Sequence, residues 1–455
     1  MLNSAEGAAF SSRGRKAVAS RPWLFDDGPA DLNPARLFQR VRRHLDARTG
    51  SAYHRNREGP DSSCKCNAEP RADAAVNHEL GAFGRDSTLS ACILATARGS
   101  ASVALKLEFT RHPLDSKHIN PEMTSLLKDS YGRAIRDLRV SLTDRCNFRC
   151  FYCLPHGEPP IAPKEQMLSY EEIEFVCDIF VSLGIEKIRL TGGEPMMRRD
   201  IETIIEKLSL LKPKGLQDLA LTTNGYFLPD RAQGLKDAGL DRITISVDSL
   251  KPETFKQMTG VDVLDRVLAG IAAAKQSGLE PIKINAVIVR GHNEDEVADF
   301  AAFAREHDVK MRFIEFMPLD SGHDWSRQDV VSGREIHERI NRQFPLTPID
   351  FDRGSETSSR YRFADGAPGE IGIIAPVTEP FCGACSRIRL TADGQIRTCL
   401  FSTVEHSLRD VVRAGATRGE IVDFIESVVL KKEPRHYINE PQFVAPSRSM
   451  SFIGG

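Results

Sequence analysis

Charge of one sign is what this sequence most lacks: its 455 residues carry 61 Lys+Arg against 63 Asp+Glu, a formal net charge of −2. That balance excludes a chain that coats nucleic acid, which needs a cationic surface able to release counterions. An anionic ligand must instead be held by a local basic site. Long apolar runs are also missing. No stretch approaches the roughly 18 to 20 uninterrupted apolar residues that cross a bilayer, so a membrane-spanning helix is excluded. Cysteine is scarce, ten residues in all, too few for a disulfide-stapled secreted scaffold of this length. The apolar fraction of 41% is that of an ordinary globular chain with room for two or three domain-sized units. Six of the ten cysteines nevertheless fall into two tight groups, and such clustering points to metal.

Residues 1–128 are rich in Ala, Ser, Gly and Arg and show no sustained period of 2 or 3.6, so they read as a mostly disordered extension. The first 25 carry Arg13, Arg15, Lys16 and Arg21 against Glu6 alone, with Ser4, Ser11, Ser12 and Ser20. That acid-poor, Ser/Arg-rich composition fits an organelle transit peptide or a solvated tail. Cys64 and Cys66 are too closely spaced for an ordinary two-ligand turn, and neither they nor Cys92 is assigned a role. Cys177 is expected in the core.

From about Tyr131 the pattern becomes regular. Short β-branched runs recur at Leu138–Leu142, Lys187–Leu190, Leu219–Thr222, Arg242–Val247, Lys283–Val289 and Met311–Phe316. Helical periods lie between them, as at Tyr170–Leu183, Ile201–Leu211, Val263–Gln276 and Glu294–Glu306. Right-handed crossovers turn such a βα series into a parallel sheet; barrel and open sheet stay equally open on pattern alone. Turn-forming sequence follows several strands, at Thr143–Cys146, Thr191–Pro195, Thr223–Gly225 and Asp248–Ser249, and parallel α/β folds place ligands at that end. The chemistry is expected at that mouth.

Cys146, Cys150 and Cys153 follow the first strand within DRCNFRCFYCLP. Three thiolates can wrap one face of a zinc or iron–sulfur centre, and no fourth Cys lies on the same loop. A zinc would need a distant fourth ligand, whereas an iron–sulfur cube would keep one iron open. CNFRCFYC, with Tyr152 before the last cysteine, and TGGEP at Thr191–Pro195 together resemble the radical S-adenosylmethionine superfamily. The resemblance implies that the open iron is chelated by S-adenosylmethionine, which an electron from the cluster cleaves to a 5′-deoxyadenosyl radical.

The second group is Cys382, Cys385 and Cys399, a CxxC followed by a hairpin turned at Asp393-Gly394 and a third cysteine. By itself this is the layout of a zinc knuckle. Only three thiolates are close, so a second open-sided cluster is equally compatible. Arg387 and Arg389 alternate on the following strand and so share a face, placing two guanidiniums beside the thiols as an anion clamp.

FCGACSRIRLTADGQIRTCLF, RFIEFMPLD at Arg312–Asp320 and the terminal Gly454-Gly455 resemble the GTP 3′,8-cyclases, the molybdenum cofactor biosynthesis protein A family. The resemblance runs from roughly Asp129 to Gly455. It implies an incomplete (βα)6 TIM-type barrel over 129–330, and over 331–455 a C-terminal cluster-binding region with a Gly-Gly tail. It further implies a homodimer, two [4Fe-4S] clusters and S-adenosylmethionine. The implied reaction is abstraction of the ribose 3′ hydrogen of GTP and closure onto guanine C8, giving (8S)-3′,8-cyclo-7,8-dihydroguanosine 5′-triphosphate in the first step of molybdenum cofactor biosynthesis. A downstream cyclic pyranopterin monophosphate synthase would take up that product.

Carried over by position, the resemblance implies that Cys146, Cys150 and Cys153 hold the first cluster and Cys382, Cys385 and Cys399 the second. Tyr152, Gly193, Ser246 and Met317 match the S-adenosylmethionine contacts. Arg139, Arg189, Thr222, Lys283, Arg387 and Arg389 match the GTP contacts, with Thr223 as the alternative to Thr222. Gly454 and Gly455 would reach into the site. The expected compartment is the mitochondrion, with the cytoplasm as alternative. Two rival readings remain at this level: another radical enzyme with an auxiliary cluster, such as a peptide-modifying one, and a zinc-binding module.

Overall fold

The computed structural model describes residues 126–154, 162–319, 325–351 and 353–454, together with the backbone of three short strands at Val76–His78, Ala91–Leu94 and Lys106–Glu108. The chain divides into two compact units, Met1–Ser116 and Lys117–Gly455. In the first, the three strands form an antiparallel sheet in sequence order. The sequence reading places no element there, because runs as short as ACIL carry too few residues for a period to register. Cys64, Cys66 and the transit-peptide segment lie outside the described residues.

The second unit is built on the predicted βα series. Its strands are β1 (Asp137–Ser141), β2 (Lys187–Thr191), β3 (Asp218–Thr223), β4 (Arg242–Ser246), β5 (Lys283–Ile288) and β6 (Lys310–Glu315). They pair in parallel, in order. The connecting helices are α1 (Tyr170–Ser182), α2 (Ile201–Ser209), α3 (Leu228–Asp237), α4 (Pro252–Thr259), α5 (Leu264–Gln276) and α6 (Val297–His307). Helix α1 starts on a capping box in which Ser169 and Glu172 satisfy each other's backbone N–H groups. It buries Ile173, Val176, Cys177, Ile179 and Phe180 against the sheet. Period-2 alternation sorts the strands: Leu138, Val140, Ile188, Leu190, Leu219 and Leu221 join the apolar core under the helices, which turns Arg139 and Arg189 inward. The barrel interior is therefore polar.

Beyond β6 come α7 (Gly333–Gln343), β7 (Leu346–Pro348), β8 (Ser359–Phe363), β9 (Glu370–Ile374), β10 (Arg387–Leu390), β11 (Gln395–Arg397), β12 (His406–Ser407), α8 (Leu408–Arg413), α9 (Arg418–Val429) and α10 (Met450–Ile453). The complete sheet has twelve strands, with β9 parallel beside β6 and β10 parallel beside β1. Residues 331–455 thus extend both edges of the incomplete barrel. Glu315, fully buried at the end of β6, ties the two regions together: it accepts from the N–H groups of Gly333 (2.8 Å), Val377 (2.8 Å) and Thr378 (2.9 Å) and from the Thr378 hydroxyl.

Candidate functional site

At the carboxyl mouth, the loop after β1 carries Cys146, Cys150 and Cys153. It closes on itself through Cys153 N–H to the Cys150 carbonyl at 2.9 Å and is pinned to the β2 loop by Gly193 N–H to Thr143 O (2.8 Å) and Glu194 N–H to Arg145 O (2.7 Å). Gly193 is obligatory here, since a Cβ would sit 2.3 Å from the Arg145 carbonyl. Buried Glu194 accepts from Asn224 N–H (2.7 Å), Met196 N–H (3.0 Å) and the Thr223 hydroxyl (2.8 Å), and burial raises its pKa to about 7. The Tyr152 hydroxyl donates to Asp248 at 2.5 Å, joining the cysteine loop to the end of β4. Burial pushes the thiol of Cys146 up to about 11 and that of Cys153 to about 12, and raises Cys150 well above its ordinary value.

The second trio lines a cavity of about 180 Å³ on the barrel's open side, with Arg139, Arg312, Arg387, Arg389 and Lys432. Its loop is braced from both directions. Buried Arg133 donates to the carbonyls of Cys382 (2.9 Å), Pro434 (2.9 Å) and Glu433 (2.6 Å), while Lys432 donates to those of Arg387 (2.9 Å) and Thr398. Burial opposes ionisation of Cys385, but Arg387 and Lys432 beside it bring the thiol down to about 7. Among the described residues no three Cys, His, Asp or Glu side chains converge closely enough to hold a single ion. The thiols of each trio still lie within electrostatic range of one another. Three soft thiolate donors in each trio fit an iron–sulfur cluster.

A second cavity, about 360 Å³, opens at the amino ends of the strands. Arg139, Lys187, Arg189, Arg242, Lys283, Arg312, Arg353 and Arg387 line it, against Asp137, Asp218 and Glu356. Strand register explains the gathering: Arg389, Arg139 and Arg189 lie side by side across β10, β1 and β2. Burial, then Arg312, Arg242 and Arg189, lower the Lys283 pKa to about 7. Burial and neighbouring arginines likewise lower Arg139 and Arg312 to about 10 and Arg189 and Arg389 well below their usual range. Guanidiniums stay protonated, so these directions express burial first and the crowding of like charges second. Arg139, Arg312, Thr357 and Arg387 line both cavities, so the two adjoin.

The C-terminal segment enters this interior. Gly454 adopts a φ of 81°, where a Cβ would lie 2.6 Å from Thr191 Oγ1 and 3.1 Å from Ser141 Cβ, and its carbonyl accepts from the buried Arg389 guanidinium. Met450 lines the cavity of the second trio, while Ser451 N–H faces the Cys153 thiol of the first.

Two family models match the chain, the Radical SAM superfamily over residues 140–304 and Molybdenum Cofactor Synthesis C over 309–438. A GTP 3′,8-cyclase of Streptomyces coelicolor is 46% identical over 336 residues, 73% of this chain and 98% of that protein. One from Mycolicibacterium smegmatis is 45% identical over 72% and 92% of the two chains. The chain belongs to the GTP 3′,8-cyclase family. It is therefore a radical S-adenosylmethionine enzyme of molybdenum cofactor biosynthesis, using S-adenosylmethionine and an iron–sulfur cluster. Among solved structures, Streptococcus suis SuiB bound to S-adenosylmethionine aligns with a TM-score of 0.46 at 14% identity, over 69% of this chain and 76% of that one.

In this cyclase-family chain the sequence-derived residues divide between the carboxyl-end loops and the two adjoining cavities. Tyr152 and Gly193 stand at the carboxyl mouth and Ser246 closes β4. Met317, matched to the S-adenosylmethionine contacts, lines the cavity of the second trio. Of the residues matched to GTP, Arg139, Arg189, Lys283 and Arg387 line the amino-end cavity, away from the loops of the carboxyl mouth; Lys283 and Arg387 open their strands, while Arg139 and Arg189 are the middle residues of theirs. Thr222 faces inward, accepting from Arg189 at 3.3 Å, whereas Thr223 is committed to Glu194. Arg242, Arg312, Lys187 and Arg353 were not singled out from the sequence. For Arg242, Arg312 and Lys187 a signal existed, since each shares the inward parity of its strand; Arg353 is joined to the set by its loop path. Gly455 lies outside the described residues.

Proposed function

We propose that this chain converts GTP to (8S)-3′,8-cyclo-7,8-dihydroguanosine 5′-triphosphate in the interior of the barrel. Cys146, Cys150 and Cys153 would hold a first [4Fe-4S] cluster and Cys382, Cys385 and Cys399 a second. The first cluster with S-adenosylmethionine supplies the radical that removes the ribose 3′ hydrogen. Tyr152, Gly193, Ser246 and Met317 are the matched S-adenosylmethionine contacts. Gly193 lets the β2 loop pack directly against the cysteine loop, and Tyr152 fixes that loop through Asp248.

The observation that carries the reading is the excess of cations across the two adjoining cavities, where arginines and lysines outnumber the carboxylates of Asp137, Asp218 and Glu356. A triphosphate beside Arg139, Arg189, Lys283, Arg312 and Arg387 would relieve their repulsion and place the base toward the second trio, with Thr222 and Arg389 between. Orientation then does most of the work: a substrate held at both ends presents its ribose to one position only. Gly454 and Gly455 would border that position, and the insertion of Gly454 against Ser141 and Thr191 supports it.

The test is anaerobic reconstitution followed by analysis for about eight iron and eight sulfide per chain, then incubation with reductant, S-adenosylmethionine and GTP. The expected products are 5′-deoxyadenosine and the cyclised nucleotide. Deoxyadenosine release independent of GTP would favour a peptide-modifying enzyme, and stoichiometric zinc would favour the binding module. The assembly read from the resemblance is a homodimer, checked by light scattering. Its product would pass to a cyclic pyranopterin monophosphate synthase. The compartment proposed from the first 25 residues is the mitochondrion; a reporter fused to residues 1–60 that stays cytoplasmic would overturn it.

A further inference from the structure

Among the described residues, four buried side-chain nitrogens have no hydrogen-bond partner: Arg242 Nη1, Arg397 Nε, and Nδ1 and Nε2 of His436. Of these three residues, only His436 lines the cavity of the second cysteine trio. Buried polar atoms left unpaired are unfavourable, and folded proteins keep them chiefly where a ligand, ion or water completes the bond.

The surroundings narrow what that ligand offers. Arg139, Arg312, Arg387, Arg389 and Lys432 line the cavity, and no carboxylate does. These cations donate and cannot accept. Asn285 Oδ1 already accepts from Arg312 at 2.9 Å, and the Thr398 hydroxyl donates to Glu433 at 2.8 Å. A neutral imidazole has one donor and one acceptor nitrogen. The Pro376 carbonyl approaches the His436 ring without meeting hydrogen-bond geometry. It would favour the N–H on the nearer nitrogen and leave the other to accept. The ring is also well placed: its own backbone N–H meets the Cys382 thiol, its face tilts onto Phe401 at 5.3 Å, and Arg133 clamps the Pro434 carbonyl just upstream at 2.9 Å.

Guanine differs from hypoxanthine by its 2-amino donor, from which the cations lining the cavity cannot accept. We propose that His436 accepts a hydrogen bond from the guanine 2-amino group and is a specificity-determining residue of the substrate site. This rests on placing the guanine at the second trio, as in the proposed function. The test uses the full chain, anaerobically reconstituted, with equilibrium binding of GTP and of inosine 5′-triphosphate, which lacks the 2-amino group.

The parent is expected to prefer GTP. His436→Phe keeps a ring on Phe401 but removes both nitrogens, so GTP affinity should fall about tenfold while inosine triphosphate changes by less than about twofold. Iron and sulfide per chain should match the parent. His436→Gln, whose amide oxygen accepts, should keep most of the preference. Equal losses for both nucleotides, unchanged GTP binding, or loss of iron on substitution would each overturn the assignment. A parent that binds neither nucleotide would overturn the substrate reading itself and His436's role with it. A parent that prefers GTP beside a Phe variant that still does would count against His436 alone.

Discussion

Lys283 offers the sharpest quantitative test of the substrate channel. It opens β5 facing Arg312, Arg242 and Arg189, and burial together with those cations lowers its pKa from 10.5 to about 7. A displacement of that size disfavours the charged ammonium by ~5 kcal/mol in the ligand-free protein. Bound triphosphate reverses the local field and restores the charge, so above pH 7 binding must take up a proton. GTP affinity should therefore weaken as pH rises from about 7 towards 10, with a slope approaching tenfold per pH unit. Titration calorimetry in buffers of different ionisation enthalpy reads both the affinity and the proton uptake. Lys283→Arg, charged throughout this range, should flatten the profile while retaining affinity, and Lys283→Met should flatten it with weaker binding. The same shift affects folding. Between about pH 7 and 10.5 the unfolded lysine binds a proton that the folded one does not, so this residue's contribution to ligand-free stability rises with pH across that window. It is lost as pH falls from about 10.5 to 7 and changes no further below that. A parent profile without slope, or an arginine variant with the parent's slope, would refute the placement of the triphosphate beside Lys283.

Other outcomes follow from the same geometry. Arg387→Ala should weaken GTP binding by roughly ten- to a hundredfold, the loss of a charged hydrogen bond, while S-adenosylmethionine binding holds; equal GTP affinity would count against the anion clamp. Cys146→Ala should end S-adenosylmethionine cleavage, measured as 5′-deoxyadenosine, and lower the iron content by about half a full complement. Removing Gly454 and Gly455 should leave iron and sulfide unchanged yet abolish cyclised product, and full activity would reject a role for the tail. Glu315→Ala strands the N–H groups of Gly333, Val377 and Thr378. It should cost ~3 to 5 kcal/mol of stability, seen as a lower denaturant midpoint; an unchanged midpoint would show that the carboxylate is not the tie between barrel and C-terminal region.

Much was legible in one dimension because it is written in local spacing. Alternation with period 2, interrupted by helical period 3.6, specified the βα series and even the strand limits to within a few residues. Tight clustering marked both cysteine trios, whose thiols must share one short loop or hairpin to meet a common centre. The GGEP turn could be read as well, since Gly193 has no room for a Cβ against the Arg145 carbonyl. The Thr222 and Thr223 repeat was ambiguous by spacing, and only strand parity sends one inward to Arg189 and the other to Glu194.

What the sequence determined by itself, then, was the parallel α/β class, the two sets of three thiols, and the need for a local basic site in a chain of net charge −2. Tertiary structure decided where that site lies. Arg139, Arg189, Lys283, Arg312 and Arg387 are far apart in the chain and meet because parallel register sets inward-facing positions of their strands beside one another. Tertiary structure alone also set β9 and β10 on opposite edges of one sheet, brought Gly454 between Ser141 and Thr191, and left the His436 nitrogens without partners. Periodicity is a property of neighbours along the chain. Like charges crowded across strands, and acceptors left empty in a cavity, are properties of neighbours in space.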